Sequence, residues 1–333
     1  MIKYSILIPN LGYSVFFEKC LLSIAKQKNL NNFSFEIIIY DQSDDSDYNR
    51  IKRYIEFIKV PNCKLVHSNV KSLVNARHSL LESSTGDYVL FVDSDDFVNE
   101  DYLLSIDNSL MKNNDPDILI CGFNIVDESN NILEINKPTQ SKRIVDDFYY
   151  GAEYTSLWRK TFKRSLYNKD NYTDFKTVFG DDWILSKGLF DNAKSIIIDS
   201  DLCSYNYRLN SNSITHSFSI ERAKESITHR DPYLLPPTDI RQKECLSRSK
   251  FRQYIYVSKI LISQNGINRK QFVSFSKEIH SSFKGIFVSF SYDSKGEKVL
   301  YFCFKERMYS FVFVILKIIN RKNERQNKTN ESR

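Results

Sequence analysis

The fold of this chain is decided by the stretch Gly86-Asp87-Tyr88-Val89-Leu90-Phe91-Val92-Asp93-Ser94-Asp95-Asp96. Tyr88–Val92 is apolar without alternation, and it is bounded by a glycine on one side and by acids on the other. This pattern predicts a strand that is buried on both faces, as in the parallel sheet of an α/β protein.

Three carboxylates, Asp93, Asp95 and Asp96, follow this strand closely. Like charges so near one another repel, which raises the pKa of each group. A divalent cation removes that cost, and carboxylate oxygens suit Mg²⁺ or Mn²⁺, which bind substrate phosphates at the same time. The pattern therefore predicts a metal site at the end of the strand. The alternative is an acidic turn followed by a capped helix, with Asp96 or Asn99 near its N-cap.

The first part of the chain alternates strand patterns with helix patterns. Strands are predicted at Tyr4–Pro9, where proline and then Gly12 end the run, at Phe35–Asp41 and at Lys64–His67. A helix is predicted over Leu73–Ser83. This alternation predicts parallel βαβ units, so the fold class is α/β. Because three strands end in polar, mostly acidic loops, we expect a site of nucleotide size at one edge of the sheet.

Seven segments carry a family resemblance. In chain order they are Ser5–Pro9, Cys20–Ile24 with Gln27, Glu36–Asp41, Ala76-Arg77, Gly86–Asp96, Phe179–Asp182 and Tyr205–Thr215. Together they resemble a bacterial family 2 glycosyltransferase with the GT-A fold. The resemblance implies a catalytic domain over about residues 1–216, with a mixed, mainly parallel sheet flanked by helices. It leaves residues 217–333 as a mainly helical C-terminal region.

The resemblance implies a nucleotide diphosphate sugar as the donor and gives roles to the acids. Asp95 matches the last acid of the family's Asp-x-Asp pattern and would bind Mn²⁺ or Mg²⁺, which acts as a Lewis acid on the diphosphate leaving group. Asp93 would face the ribose or a water on the metal, and Pro9 would border the nucleotide. Arg77 would also face the nucleotide. The alternative for Arg77 is a surface ion pair, which stabilises a protein little.

Asp41 and Gln42 end the second predicted strand, where the family reads the base of the nucleotide. The family usually has two acids here, and Gln42 stands in the place of the second. An amide is both donor and acceptor, so Gln42 suits the N3–H and a carbonyl of uracil or thymine. UDP is the favoured nucleotide and dTDP the alternative, while another base stays open. A turn built on Asp41 is the structural alternative.

By the same resemblance, Asp182 is the general base. It follows Asp181 at the start of an apolar helical pattern, where the helix dipole stabilises acids. Asp182 would take the proton from an acceptor hydroxyl, and a single base opposite the leaving group gives inversion. No Gln-x-x-Arg-Trp motif of processive synthases follows, so we expect one sugar per encounter.

Two residues of the Tyr205–Thr215 segment, Arg208 and Ser213, are expected to contact the diphosphate. His216 comes directly after this segment. The alternatives for His216 are a metal ligand and a structural histidine.

Composition, charge and cysteine spacing argue against other classes of protein. The chain has 333 residues and a formal charge of +6, which suits one large domain with an appendage. No basic run with interleaved aromatics stands out before the C-terminus, so we expect no nucleic-acid partner. The six cysteines are scattered without a CxxC pair, and no signal-peptide pattern opens the chain. Reduced thiols and a cytoplasmic location are therefore expected.

The C-terminal region predicts amphipathic helices at Ser249–Ile262 and Lys270–Phe283, after a hinge or linker at Asp231–Pro237. Val299–Ile319 is apolar and aromatic but interrupted by charges, and its apolar run Phe311–Leu316 is too short to span a bilayer. A basic tail follows. This combination favours a helix in the membrane interface and peripheral association with the inner face of the cell membrane. The alternative is a packing helix or an oligomer contact.

The sequence thus predicts an inverting, metal-dependent glycosyltransferase that moves one sugar from a nucleotide-sugar donor to a glycan or lipid-linked polysaccharide-precursor acceptor. A catalytically silent nucleotide- or glycan-binding protein on the same fold is the alternative. A sugar nucleotidyltransferase is disfavoured, because no glycine-rich phosphate loop follows Ile8.

Overall fold

The computed structural model describes residues 3–28, 33–169, 180–209, 219–264 and 266–331, with the backbone alone at residues 264 and 323–331. The chain divides into two compact units. The first unit is Met1–Ile144 with Tyr154–Ser211, and the second unit is Val145–Glu153 with Asn212–Arg333. The second unit therefore includes a short segment from the middle of the chain, which the sequence patterns do not indicate.

The strands in the described residues are β1 (Tyr4–Asn10), β2 (Phe35–Asp41), β3 (Cys63–His67), β4 (Tyr88–Phe91), β5 (Phe97–Val98), β6 (Ile118–Cys121), β7 (Phe123–Val126), β8 (Ile132–Asn136), β9 (Lys160–Lys163), β10 (Ile196–Asp199) and β11 (Tyr205–Arg208). The α-helices of the same residues are α1 (Val15–Ala25), α2 (Asp45–Ile58), α3 (Leu73–Ser83), α4 (Tyr102–Lys112), α5 (Ile144–Tyr149), α6 (Asp181–Asn192), α7 (Ile220–Thr228), α8 (Ile240–Gln264), α9 (Arg269–Ser281), α10 (Lys295–Lys305) and α11 (Tyr309–Glu331).

A seven-stranded sheet in the order β10-β6-β9-β4-β1-β2-β3 forms the centre of the first unit. Neighbouring strands are parallel except at β9, which is antiparallel to β4 and β6. Every residue of β1 and β4 is buried, which explains their continuous apolar runs. The predicted α/β fold with a mixed, mainly parallel sheet flanked by helices is confirmed.

The register of β1 brings polar residues together at one edge of this sheet. β1 continues through Pro9 to Asn10, so the predicted end of the strand at the proline is wrong. Asn10 lies opposite Asp41, the last residue of β2. On the other side of β1, Leu7 lies opposite Phe91, and the acids of the decisive stretch follow directly.

A second sheet, in the order β5-β11-β7-β8, also belongs to the first unit. β11 is antiparallel to β5, with Asn206 opposite Phe97, and it is parallel to β7. This pairing brings Tyr205–Arg208 beside the acidic residues that precede β5.

Local sequence explains how β4 and α3 begin. A Cβ atom at Gly86 would lie 2.7 Å from the backbone nitrogen of Ser5, so glycine permits the close approach of the two chains there. The predicted helix Leu73–Ser83 is confirmed as α3. Its N-cap is Ser72, whose side chain accepts a hydrogen bond from the Asn75 N–H.

The second unit is mainly helical, as predicted, and its helices pack around an aromatic core. The fully buried rings of this core include those of Phe251, Tyr254, Phe272, Phe283 and Phe304. The predicted helix Ser249–Ile262 lies within α8, which already begins at Ile240. The first residues of α8 are mostly polar, so they show no apolar periodicity from which its start could be predicted.

Two predictions for the second unit are wrong in detail. Val299–Ile319 is not one helix, since α10 ends at Lys305 and α11 begins at Tyr309, with Arg307 at φ +60° between them. Asp231–Tyr233 is a 3₁₀ turn within this unit and not a linker. The Asp231 carboxylate pairs with the Lys250 ammonium at 2.6 Å. Among the described residues, no helix is long and apolar enough to cross a membrane.

Candidate active site

The acidic turn between β4 and β5 is held by Asp96. Its buried carboxylate accepts hydrogen bonds from the Tyr205 hydroxyl at 2.6 Å and from the Arg208 backbone N–H at 2.8 Å. The Tyr205 hydroxyl also accepts a hydrogen bond from the Asp93 N–H at 3.1 Å. Tyr205 therefore joins both ends of the turn. The N-cap of α4 is Asp101, two residues after Asn99, whereas Asp96 holds the turn and does not cap this helix.

The Arg208 side chain is buried against the same turn. Its Nε donates to the Asp95 carbonyl at 2.9 Å, and one terminal nitrogen donates to the Asn130 side chain at 2.7 Å. The guanidinium lies over the rings of Phe16 and Phe97. Its Nη2 atom is buried and has no hydrogen-bond partner within the described residues. The expected contact of Arg208 with a diphosphate stays a prediction.

Arg77 joins the two acidic segments of the sequence. The side chain, projecting from α3, is only 4% exposed. One terminal nitrogen contacts Asp181 and lies 2.6 Å from Asp182, and the other lies 3.7 Å from Asp93. The alternative of a surface ion pair is therefore wrong. Asp181 and Asp182 form the first turn of α6, after Gly180 at φ +79°.

Negative charge exceeds positive charge at this point. Burial raises the pKa of Asp93 to about 7, an effect that Arg77 opposes and that Asp182 and Asp95 increase. Burial likewise raises the pKa of Asp182 to about 6, against the influence of Arg77. Burial alone would lower the pKa of Arg77, but the surrounding carboxylates raise it above its usual value. The guanidinium therefore stays charged, but its single positive charge does not balance the three carboxylates around it.

The residues fit a divalent cation that substrate phosphates help to hold. Within the described residues, no group of three or more His, Cys, Asp and Glu side chains forms a metal site. Mg²⁺ does not require one, because it is commonly bound by one or two carboxylates together with phosphate oxygens and waters. Asp93 and Asp95 supply such oxygens, whereas the Asp96 oxygens accept bonds from Tyr205 and Arg208. The metal assignment of Asp93 and Asp95 stays a prediction.

Asp41 and Gln42 are bonded within the protein at the end of β2. Asp41 is fully buried and accepts hydrogen bonds from Asn10 at 2.7 Å and from Ser43. Its other oxygen lies 3.2 Å from His67 Nδ1. The Gln42 amide donates to the carbonyls of residues 70 and 72 and accepts from the N–H of residue 72. Direct base recognition by Gln42 stays a prediction, and the structure gives its side chain a role in holding this loop.

Sequence reasoning missed Lys160 and Trp158. Lys160 begins β9, and its buried ammonium donates to the carbonyls of Thr155 at 3.0 Å and Ser156 at 2.6 Å. Burial lowers the pKa of Lys160 well below its usual value, and the negative charge of Asp182 opposes this shift. The Trp158 ring stacks on that of Tyr205, with centroids 4.7 Å apart. Neither residue belongs to an acidic or glycine-rich motif, so no local signal marked it.

The described residues do not include all of the predicted ones. Ser213 and His216 lie outside the described residues, as does Phe179. Pro9 is buried within β1, opposite Tyr40, and its place beside the nucleotide stays a prediction.

A family model matches more than half of the chain. Residues 5–191 match the family model described as Glycosyl transferase family 2. The matched region contains both acidic segments and Arg77, although it ends before Arg208.

Two curated relatives are similar to more than half of the chain. The chain is 24% identical over 221 residues to "Uncharacterized glycosyltransferase EpsJ" of Bacillus subtilis (strain 168), covering 63% of this chain and 62% of that protein. It is 24% identical over 212 residues to "Poly(ribitol-phosphate) beta-N-acetylglucosaminyltransferase TarS" of Staphylococcus aureus (strain MW2), covering 62% of this chain and 35% of that protein. The matches thus span less than two thirds of either relative.

Two solved structures share the fold. One is S. aureus TarS 1-349 in complex with UDP-GlcNAc, with a TM-score of 0.66 and 17% identity over 97% of this chain and 92% of that chain. The other is the mannosyltransferase PcManGT from Pyrobaculum calidifontis in complex with GDP-Man and Mn²⁺, with a TM-score of 0.53 and 14% identity over 95% of this chain and 87% of that chain. The predicted GT-A fold is confirmed.

Proposed function

The chain belongs to glycosyl transferase family 2, and from that premise we propose that it transfers one sugar, with inversion, from a nucleotide diphosphate sugar to a glycan or lipid-linked polysaccharide-precursor acceptor. UDP is the favoured donor nucleotide and dTDP the alternative. Two findings on relatives support this direction: TarS is a poly(ribitol-phosphate) beta-N-acetylglucosaminyltransferase, and one TarS structure holds UDP-GlcNAc.

One observation carries the proposal. The turn after β4 and the start of α6 are far apart in the sequence, yet Asp93 and Asp182 lie against the same buried Arg77 guanidinium. A transferase needs its leaving-group site and its base within the reach of one sugar. A merely structural arrangement does not need three carboxylates around one cation, because excess buried charge is costly.

Asp182 is the group that we assign as general base. Its pKa of about 6 keeps it mainly ionised at neutral pH, yet leaves it more basic than an exposed aspartate. Arg77 orients this carboxylate from one side. Asp181, which contacts the same guanidinium, adds negative charge and raises the pKa of Asp182.

Asp95 and Asp93 are the residues that would hold Mn²⁺ or Mg²⁺. When bound, this ion supplies Lewis-acid stabilisation of the diphosphate leaving group. Arg208 holds the backbone of Asp95 in place. Its Nη2 atom and the Arg77 Nε atom are buried without partners in the described chain, and such donors suit an anionic ligand, since buried polar groups are normally paired.

The base of the donor is assigned to the end of β2. Asp41 and His67 contact one another there, and the His67 ring packs on Tyr48 with centroids 4.2 Å apart. We propose that Gln42 contributes to base recognition by fixing the loop at residues 70–72. A direct contact between the Gln42 amide and uracil would be made from this fixed position. Pro9, within the neighbouring strand β1, would border the nucleotide, and Ser213 would complete the diphosphate contacts.

The proposal is tested by donor binding and transfer measured on the same variants. We expect UDP-sugars with Mn²⁺ to raise the melting temperature of the protein by linkage. Asp182→Asn should keep this shift and lose roughly a hundredfold or more in transfer, the usual effect of removing a general base. Asp181→Asn is the matched control and should lose much less. Equal losses of donor affinity and transfer in both variants would contradict the assignment of the base.

The same experiment separates the catalytically silent alternative. A silent binding protein would show the donor-dependent shift with no transfer and no donor hydrolysis. It would also respond equally to Asp181→Asn and Asp182→Asn.

We further propose peripheral association with the inner face of the cell membrane. Phe302 on α10 and Phe311 on α11 are 59% and 60% exposed, and each helix also exposes lysines. Apolar side chains beside cations suit an interface with anionic lipid. Replacing both with serine should weaken sedimentation with anionic vesicles. The control is Phe57→Ser on α2, an exposed ring of the first unit. If the parent protein ignores vesicles at low salt, this proposal fails.

A further inference from the structure

A cavity of about 630 Å³ lies in the second unit, between α9 and the start of α11. Cavities of this size commonly hold small-molecule ligands. All the residues assigned to the transfer reaction, apart from Ser213, belong to the first unit. None of them lines this cavity, so the transfer reaction leaves it without a role. Phe311, which does line it, has been assigned only to membrane association.

The charged side chains that line the cavity are those of Lys277 and Arg307, and no carboxylate lines it. Its other polar lining residues include His280, Ser281 and Ser310. Within the described side chains, Lys277 and Arg307 have no ion-pair partner. Glu278, the acid next to Lys277, pairs instead with Lys224. Positive charge therefore accumulates here without compensation, which attracts an anion.

The remaining lining is largely apolar and continues beyond the cavity. Met308 and Phe311 border it and are exposed. Val314 and Ile318 follow Phe311 at helical spacing, so they share one face of α11, and both are exposed as well. An apolar strip therefore leads away from the cationic cavity along the helix.

We propose that this cavity binds an anionic group, of the phosphate-ester type, carried on an apolar chain that lies along the exposed face of α11. An anion without a chain would leave the apolar strip exposed. A neutral amphiphile would leave two cations without partners. The proposal goes beyond sugar transfer and does not depend on the nucleotide site.

Titration calorimetry on the full chain tests this proposal. The probes are decyl phosphate below its aggregation concentration, inorganic phosphate and decyl maltoside. We expect decyl phosphate to bind at least about tenfold more tightly than either of the others, because only it combines charge with buried methylenes. Equal affinities for decyl phosphate and inorganic phosphate, or for decyl phosphate and decyl maltoside, would overturn the proposal.

Paired charge variants locate the site. Lys277→Gln with Arg307→Gln removes two charges from the cavity, and we expect a loss of about tenfold or more in decyl phosphate affinity. Lys295→Gln with Lys298→Gln removes the same charge from α10, outside the cavity, and should change the affinity little. Both variants carry substitutions at exposed positions, and matching melting temperatures would show that both are folded. Equal losses in the two variants would mean non-specific attraction and would refute the site.

Vesicles distinguish a bilayer lipid from a free amphiphile as the source of the anionic group. If the cavity takes a lipid head group, the cavity variant should lose more binding to phosphatidylglycerol vesicles than the α10 variant does. If it takes a free phosphate ester, both variants should lose vesicle binding alike, while decyl phosphate still separates them. If the cavity variant and the α10 variant do not differ in binding either decyl phosphate or vesicles, the proposal is overturned.

Discussion

In the first unit, three carboxylates surround one buried guanidinium, that of Arg77. In the second unit, two cations each have a single carboxylate partner: Lys250 lies 2.6 Å from Asp231, and Arg241 lies 2.8 Å from Asp147. Arg252 lies 2.8 Å from both Asp293 and Glu297, but that cluster is open to solvent, since the Asp293 side chain is 79% exposed. Charges that are paired one to one serve structure. An excess of one sign is unfavourable for folding and points to a ligand that completes it.

The two units also differ in their apolar cores. β2 and β4 of the first unit carry apolar runs that lead into acids at one edge of the sheet. The second unit fills its interior with aromatic rings, and a buried hydroxyl such as that of Tyr254 finds a partner in Ser276 at 2.8 Å. We therefore expect substitutions in the first unit's site to change activity more than stability, and substitutions in the second unit's core to do the opposite.

The largest effect is expected for Asp95→Asn. Metal-dependent donor binding should be lost and transfer should fall to background, because the cation loses an oxygen ligand that carries charge. The fold should remain, since removing one of several like charges relieves repulsion. Thermal shifts by UDP-sugar with and without Mn²⁺ measure the first effect, and unfolding by urea measures the second.

Asp96→Ala is the control for Asp95→Asn in the same turn. Asp96 accepts bonds from Tyr205 and from the Arg208 backbone, so its removal should cost about 1–3 kcal/mol of stability by leaving buried donors unpaired. If Asp95→Asn binds donor and Mn²⁺ as the parent does, or if it is the less stable of the two, the contrast between ligand-binding and structural acids is wrong.

A smaller but still large effect is expected for Phe304→Ala in the second unit. Phe304 is fully buried, with its ring 4.4 Å from that of Tyr254 and 5.1 Å from that of Phe283. Truncation should cost about 3–5 kcal/mol through lost burial and an unfilled cavity. Donor binding should not change.

The chain offers probes and a matched control for this experiment. Both tryptophans, Trp158 and Trp183, lie in the first unit, so their fluorescence reports that unit, while helical circular dichroism weights the second. Phe302→Ala, on the same helix but at a 59% exposed position, should stay within about 0.5 kcal/mol of the parent. Equal loss of both signals in Phe304→Ala would mean that the two units unfold together.

Much of the fold could be predicted from local sequence. β2 and α3 have the predicted bounds Phe35–Asp41 and Leu73–Ser83, because each combines a clear apolar period with a turn or cap at its ends. The failures are also local in origin. A polar start hid the first turns of α8, and an apolar run hid the break at Arg307 between α10 and α11.

The site was predicted as a set of residues but not as an arrangement. Motifs indicated Asp93, Asp182 and Arg77 separately, and no sequence pattern indicates that one guanidinium contacts both acids. The role of Tyr205 in holding the acidic turn follows from the pairing of β11 with β5, two segments distant in sequence. Such contacts depend on tertiary structure, and local periodicity carries no information about them.

The smallest of these effects is expected for Lys160→Met, a buried charge that touches no proposed ligand. Its ammonium donates to the Thr155 and Ser156 carbonyls, and its charge lowers the pKa of Asp182. Without it, the pKa of Asp182 should rise above about 6. A base must be deprotonated to act, so the acidic limb of the transfer profile should move to higher pH. A displacement of about one pH unit corresponds to roughly a tenfold loss at acidic pH and little loss at pH 8.

Transfer measured from pH 5 to pH 9 at saturating donor checks this, with Lys163→Met as the control. Lys163 lies on the same strand, but it is partly exposed and pairs with Asp117 at 2.9 Å, and such a pair contributes little. Its profile should match that of the parent. Donor affinity should stay unchanged in both variants, because neither lysine contacts the residues assigned to the nucleotide. A loss in Lys160→Met that is the same at every pH would mean that Lys160 holds only the backbone of residues 155 and 156, with no electrostatic action on Asp182.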